Sequence, residues 1–127
     1  MSRSPEATAP EEVLNGPVSA AVAALRERRV TAEALAEAAI ARHEALDATL
    51  GAYRHFDPAA ARSSARAADE TLDRAKAAGQ SAPPLCGIPI SVKDIYAVDE
   101  MPTFAGSARR LPDPPWSRDG WLVRRLR

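Results

Sequence analysis

Apolar residues recur three and four positions apart over most of the chain, which is the spacing of one face of an α-helix. Three helices follow from this spacing and its boundary signals: one opens at Pro17, one is capped by Thr31, and one opens at Asp57-Pro58. Gly79 ends the third helix, because glycine readily adopts the left-handed conformation that stops a helix. The positions that share a face in the three helices are Val18, Ala21, Val22 and Leu25; Leu35, Ala36, Ala39, Ile40, His43 and Leu46; and Ala61, Ala65, Ala68, Leu72 and Ala75.

The period changes after Pro83-Pro84, since two adjacent prolines disfavour both a helix and a hydrogen-bonded strand. From Ile88 to Lys93 aliphatic residues alternate with other residues, which predicts a strand with Lys93 on the face opposite the aliphatic side chains. Pro89 cannot donate a ladder hydrogen bond, so this strand lies at a sheet edge or begins beside that residue. No other segment is a credible partner, although an unpaired strand leaves its backbone polar groups unsatisfied.

These elements predict an α/β fold in which three helices lead into the first strand of a sheet. Residues 1–14 are polar and rich in proline, which predicts a disordered leader, and residues 15–127 are predicted to be one incomplete domain. Residues 52–56 are predicted as a brief extended segment and residues 101–116 as a loop. A final helix begins at Asp119, and its short apolar side offers little area to drive docking.

Composition and charge exclude several classes of function. The chain has 127 residues, 46% of them apolar, which is a normal content for one globular domain. Its 17 basic and 17 acidic side chains cancel, so no whole-chain field attracts nucleic acid or anionic lipid. The single cysteine, Cys86, excludes an internal disulfide, and with His43 and His55 it falls short of a structural metal site. The most apolar run, residues 18–25, is too short to cross a bilayer, and the first residues show no signal-peptide pattern. We therefore expect a soluble cytoplasmic protein without a membrane partner.

Three segments carry a family resemblance. Residues 84–94 (Pro-Leu-Cys-Gly-Ile-Pro-Ile-Ser-Val-Lys-Asp), 101–107 (Met-Pro-Thr-Phe-Ala-Gly-Ser) and 119–127 resemble, in the same order, the N-terminal portion of the amidase signature family. The glycine, proline, valine, lysine and aspartate of the first segment are the residues specific to this family. The preceding helices only support the resemblance. The chain therefore resembles a helix-rich N-terminal fragment of the amidase signature fold, from about Val18 onward.

The resemblance implies a serine hydrolase of amide C–N bonds that uses a lysine, a bridging serine in a cis peptide, and a nucleophilic serine that forms an acyl-enzyme. Lys93 matches the lysine, which accepts a proton only if desolvation or nearby positive charge holds it neutral. Thr103, Gly106 and Ser107 are candidate residues of the substrate cleft, and the alternative, which the residues alone favour, is a plain loop. The family chemistry needs no cofactor, and the substrate it implies is a small amide that these residues do not identify.

The segment that carries both serines in the family has no counterpart in residues 1–127. Ser63-Ser64 does not replace it, because this pair lies within a predicted helix and lacks the flanking glycines of a sharp turn. We therefore expect the chain alone to be inactive, as a truncated amidase, and one alternative is a split amidase whose serines come from a complementary polypeptide. An uncovered strand edge also predicts poor solubility or partial order.

A second alternative is a non-enzymatic binding module with a basic C-terminal tail. Residues 102–127 contain two aspartates, no glutamate and six arginines. The arginines are Arg109, Arg110, Arg118, Arg124, Arg125 and Arg127. Such a tail could contact an acidic partner or RNA, but it lacks interleaved aromatic residues and a glycine-rich phosphate cradle. Arginines that flank an apolar stripe are usually a solvated helix face, so no nucleic-acid partner is expected.

Several other residues have structural interpretations. Asp94 either caps the turn after the strand or pairs with a cation, and a supporting role beside the site is equally open. Gly87 and Pro89 are expected to shape the backbone. His43 lies on an apolar helical face, which favours a packed histidine over a base, and Cys86 is expected to be an inert small side chain.

Overall fold

The computed structural model describes residues 7–127. Contacts divide the chain into two compact units. The helical unit comprises the described residues up to Gly51 together with Asp57–Pro89, and the loop unit comprises Ala52–Phe56 and Ile90–Arg127. The helices of the described residues are α1 (Pro10–Asn15), α2 (Val18–Arg26), α3 (Ala32–Leu50), α4 (Pro58–Ala77) and α5 (Trp121–Leu126).

The core of the helical unit forms where α3 packs against α1 and α4, and where α2 packs against the same two helices. Leu25 of α2 and Leu35 of α3 are fully buried at its centre, surrounded mostly by alanines. Small alanine side chains allow close helix approach, and the two leucines supply much of the buried apolar surface. The predicted helical stripes at residues 18–25, 35–46 and 61–75 thus correspond to α2, α3 and α4.

Helix boundaries agree with the local signals of the sequence. The Thr31 hydroxyl oxygen accepts a hydrogen bond from the Ala34 amide at 3.0 Å, which caps α3. The Asp57 carboxylate caps α4 by accepting from the Ala60 amide at 2.9 Å. Gly79 follows α4 with a φ of +63°, so the predicted left-handed stop is confirmed.

Helix α1 occupies residues 10–15, where the sequence predicts the end of a disordered leader. The difference arises because Val13 is buried in the core of the helical unit, which stabilises a helix too short to form alone. Just before it, the Thr8 amide donates to the Arg29 carbonyl at 3.0 Å. Residues 1–6 of the predicted leader lie outside the described residues.

A carboxylate of α4 caps the N-terminus of α3 across the helical unit. Asp69 accepts hydrogen bonds from the Ala32 and Glu33 amides, each at 3.0 Å, and from Arg28 Nη1 at 2.6 Å. Burial by itself would raise the pKa of the Asp69 carboxyl, but the hydrogen bonds from Arg28 and the two amides outweigh it and lower the pKa. Asp69 is therefore ionised and joins α4 to the start of α3.

The strand predicted at residues 88–93 is absent, and residues 7–127 contain no strand at all. The predicted alternation does not produce one buried face: Ile88 packs against the helical core, whereas Ile90 is 49% exposed. The physical reason is the lack of a pairing partner, since a strand is stable only when a neighbour satisfies its backbone groups. The described part of the chain is therefore helix-rich, and the sheet of the predicted α/β class is not present in it. Residues 52–56 are likewise irregular and form no strand.

The loop unit is organised by carboxylates and a single short helix. Helix α5 begins one residue after Gly120, close to the start predicted at Asp119. The Asp119 carboxylate, with 15% of its side chain exposed, accepts from the Asp99 amide at 2.8 Å and pairs with Arg127 Nε at 2.7 Å. These contacts attach α5 to the turn that contains Asp99. Among residues 7–127, no helix has the length and apolarity needed to cross a membrane.

Candidate functional site

Gly87 begins the specific part of the motif in a turn that only glycine fits easily. Its φ is +85°, and a Cβ added there would lie 2.9 Å from the Ala32 Cβ and 3.4 Å from methyl groups of Leu25. A side chain would therefore meet both backbone strain and a close packing contact. The expected backbone-shaping role of Gly87 is thus explained by close packing within the helical unit.

Cys86 directly precedes this turn, and its thiol has low reactivity. Its Sγ lies 3.6 Å from the Ala68 carbonyl oxygen, which accepts a hydrogen bond from the thiol. Burial raises the pKa of the Cys86 thiol, and the negative charge of Asp69 raises it further. The thiol therefore stays protonated near neutral pH and is a poor nucleophile, in agreement with its predicted role.

Lys93, the predicted proton acceptor, lies in an irregular segment of the loop unit with its side chain exposed. Its carbonyl oxygen accepts hydrogen bonds from the Ile95 amide at 2.7 Å and the Tyr96 amide at 3.0 Å, which form a tight turn directly after it. Among residues 7–127 the ammonium group has no ion-pair partner. The described residues leave Lys93 in contact with solvent, so they do not supply the desolvation that a lysine base needs.

Asp94 connects the turn after Lys93 to the loop predicted to line the substrate cleft. Its carboxylate accepts from the Phe104 amide at 2.9 Å, and its carbonyl oxygen accepts from the Ala105 amide at 2.8 Å. Ala105 and Gly106 have φ values of +50° and +78°, so this loop has two successive residues in the left-handed region. Asp94 thus holds an uncommon loop conformation beside Lys93, and the supporting role left open for it describes its contacts best.

The three predicted cleft residues have different environments. Thr103 is only 3% exposed, and its hydroxyl donates to the Trp116 carbonyl at 3.5 Å, so its contacts are internal to the loop unit. Gly106 and Ser107 are exposed, and the Ser107 Oγ accepts from the Arg109 amide at 3.1 Å. Within the described residues no hydrogen bond joins the Lys93 side chain to any of the three.

Two features of this region have no local signal in the sequence. The Tyr53 and Ser91 hydroxyls are hydrogen-bonded, which links the segment Ala52–Phe56 to the start of the Lys93 segment. The Arg54 guanidinium lies 4.1 Å from the centre of the Phe104 ring, in a cation–π contact. These pairs are 38 and 50 positions apart in the chain, so no local pattern predicts them.

No cluster of three or more residues able to hold a metal ion occurs in the part of the chain that the structure describes. What the region offers chemically is one exposed amine at Lys93, next to a loop whose backbone is fixed by Asp94. Residues 7–127 provide neither the desolvation that a lysine base needs nor a hydroxyl in contact with the Lys93 amine.

Comparison with known proteins identifies the class. The Amidase family model matches residues 34–127, which contain the Lys93 segment and the loop held by Asp94, and the chain belongs to this family. The resemblance predicted from the sequence is therefore confirmed.

The similar proteins cover more than one activity. The chain is 45% identical over 104 residues to 2-amino-5-chloromuconic acid deaminase of Comamonas testosteroni, a match that covers 82% of this chain and 21% of that protein. It is 47% identical over 90 residues to a glutamyl-tRNA(Gln) amidotransferase subunit of Chloroflexus aurantiacus, covering 71% of this chain and 18% of the relative. The chain thus spans about a fifth of the length of these curated relatives. No solved structure matches it.

Proposed function

We propose that this chain is the lysine-bearing N-terminal part of an enzyme that hydrolyses carboxylic amide C–N bonds, or transfers the amine from them. The observation that carries this proposal is the family match across residues 34–127, which includes Lys93 and the loop that Asp94 holds. In this proposal Lys93 is the proton acceptor, and Gly106 and Ser107 belong to the wall of the substrate cleft.

The proposed chemistry requires Lys93 to lose its proton first. Neutral Lys93 accepts the proton of a serine hydroxyl through a bridging serine, and the serine oxygen attacks the amide carbon. The C–N bond breaks, the amine leaves with a proton returned from the lysine, and water then releases the acid. Both serines would come from the remaining four-fifths of an amidase sequence, so we propose that residues 1–127 alone are inactive.

Desolvation of Lys93 would accompany assembly with that remaining sequence. Ile90, Ile95 and Tyr96 lie within three residues of Lys93 in the chain, and each is more than 40% exposed. An apolar surface packed over these side chains would remove water from the amine and so favour its uncharged form. The remaining sequence could be covalently continuous or a complementary polypeptide, and both arrangements would cover the same side chains.

The experiment is a chimera in which residues of this chain replace the matching fifth of the Comamonas testosteroni deaminase, assayed on that enzyme's named substrate. Lys93→Ala in the chimera should lower kcat by roughly 100-fold or more, the usual contribution of a general base. Lys76→Ala is the matched control, because Lys76 is the other lysine of the sequence and is also exposed. An active chimera that retains its kcat with Lys93→Ala would refute the assignment.

Co-expression of two polypeptides tests whether the enzyme can assemble from separate pieces. Residues 1–127 and the remainder of the deaminase are produced as separate polypeptides and purified through a tag on one of them. Activity that depends on both pieces, and on Lys93, would support assembly from two polypeptides. Activity of residues 1–127 alone would contradict the proposal that the chain is inactive by itself.

A further inference from the structure

A cleft of about 490 Å³ lies within the loop unit, between residues 95–97 and residues 114–124. Its volume is within the range of small-molecule binding sites. The proposed amidase mechanism gives none of its lining side chains a chemical role, although two of them, Ile95 and Tyr96, are among the side chains proposed to be covered when Lys93 is desolvated.

Three aromatic side chains line this cleft, beside aliphatic, proline and charged residues. Both tryptophans of the chain, Trp116 and Trp121, contribute to it, together with Tyr96. Trp121 is 68% exposed, with the Arg125 guanidinium 5.9 Å from its ring centre, and Tyr96 is 41% exposed, so part of each ring remains in contact with water. Exposed aromatic side chains grouped around a concavity are typical of a binding site, because a planar ligand can stack on them.

The cleft also has uncompensated positive charge. Arg118 and Arg124 line it, and Asp119 is the acid among its lining residues. The Asp119 carboxylate is already paired with Arg127 and accepts from the Asp99 amide. Arg124 Nη1 donates to the Asp119 carbonyl oxygen at 3.0 Å, which orients the guanidinium without neutralising it. Arg118 has no ion pair or hydrogen bond within residues 7–127.

We propose that this cleft binds a small planar carboxylate, such as an aromatic carboxylic acid. A guanidinium group presents two parallel N–H donors that match the two oxygens of a carboxylate, and a planar ring attached to that carboxylate can stack on an indole. Charge complementarity favours an anion over a neutral ligand, and the aromatic lining favours a planar anion over a spherical one. The proposal does not depend on amide hydrolysis, because it concerns binding to this chain alone.

The test uses the full chain and benzoate as the probe. Because the chain has two tryptophans and both line the cleft, its indole fluorescence reports on this site. We expect saturable quenching by benzoate, with the same dissociation constant by calorimetry. Benzamide, which is planar but uncharged, and cyclohexanecarboxylate, which is charged but not planar, should each bind at least several-fold more weakly.

Variants locate the site. Arg118→Gln should raise the Kd for benzoate by roughly tenfold, the effect of losing one charged hydrogen-bonding partner. Arg109→Gln is the matched control, since Arg109 is exposed but does not line the cleft, and its Kd should be unchanged. Lys93→Ala should also leave the Kd unchanged, which separates this proposal from the proposed catalytic role. Far-UV circular dichroism of each variant checks that it folds like the parent chain.

Several outcomes would overturn the proposal. Absence of saturation by benzoate would do so, as would equal binding of benzamide or an unchanged Kd in Arg118→Gln. Inorganic phosphate that binds as tightly as benzoate and competes with it would indicate a general anion site without recognition of a planar ring. The two indole N–H signals in an NMR titration provide a second measurement, and benzoate binding that leaves both unshifted would place the ligand elsewhere.

Discussion

Asp69→Asn tests the contact that joins α4 to the N-terminus of α3. The Asp69 side chain is 15% exposed and accepts three hydrogen bonds: two from the Ala32 and Glu33 amides at 3.0 Å and one from Arg28 at 2.6 Å. Asparagine has nearly the same shape but one acceptor oxygen, so at least one of these donors loses its partner. The substitution also removes the negative charge near the positive end of α3.

The expected loss of unfolding free energy is about 2 to 3 kcal/mol at neutral pH. One charge-assisted hydrogen bond contributes about 1.5 to 3 kcal/mol, and the interaction of the charge with the helix end adds about 0.3 to 1 kcal/mol. For a domain of this size the melting temperature should fall by roughly 10 °C. Urea unfolding followed by circular dichroism measures the free energy.

The effect should depend on pH. Since the pKa of Asp69 is lowered in the folded chain, its stabilising contribution is complete above the ordinary aspartate pKa of about 3.9. The contribution is lost as the pH falls through the lowered value of the folded state. The difference in stability between the parent chain and Asp69→Asn should therefore be largest at neutral pH and shrink below about pH 4.

Asp73→Asn is the matched control. Asp73 lies one turn further along α4 and also pairs with Arg28, at 3.0 Å, but its side chain is 62% exposed. An exposed ion pair contributes at most about 1 kcal/mol, so this variant should remain close to the parent chain. The reasoning would be refuted if the two variants lost equal stability, or if the loss in Asp69→Asn were the same at pH 3 and pH 7.

Three further substitutions test local features. Gly87→Ala should lower the free energy of unfolding by about 1 to 3 kcal/mol, because residue 87 has a positive φ and an added Cβ would lie too close to the Ala32 Cβ. Urea unfolding measures this loss, and unchanged stability would contradict the packing. Thr31→Ala should cost about 1 kcal/mol through loss of the α3 cap, whereas Thr31→Ser should cost much less; equal losses would argue against the cap. Asp94→Ala should accelerate hydrogen exchange of the Phe104 amide, and Asp94→Asn should preserve part of its protection; exchange unchanged in Asp94→Ala would remove the proposed loop contact.

The positions of the helices and of the lysine motif were predictable because their signals are local. Thr31 and Asp57 each cap a helix through an amide three residues away, so the sequence window that predicts the cap contains the whole interaction. Gly79 is similar, since the left-handed stop depends on one residue's own backbone. Family membership was also predictable, because it rests on the order of residue types along the chain.

The prediction of a strand failed because a strand depends on a partner that is not local in the sequence. Alternation from Ile88 to Lys93 describes how side chains would lie if a neighbouring strand were present, and residues 7–127 provide none. The helix at residues 10–15 was missed for a related reason, since its stability comes from burial of Val13 among residues that follow it in the chain.

The sequence by itself determined helices α2, α3 and α4, the caps of α3 and α4, and the family, and it proposes Lys93 as the base, because each depends on neighbouring residues or on their order. Only the tertiary structure decided that Asp69 caps α3 from 36 and 37 positions away, that Asp94 holds the Phe104 loop, and that both tryptophans line one cleft. These arrangements join residues that are distant along the chain or that meet in irregular backbone, where no periodic pattern of residue types specifies which groups come into contact.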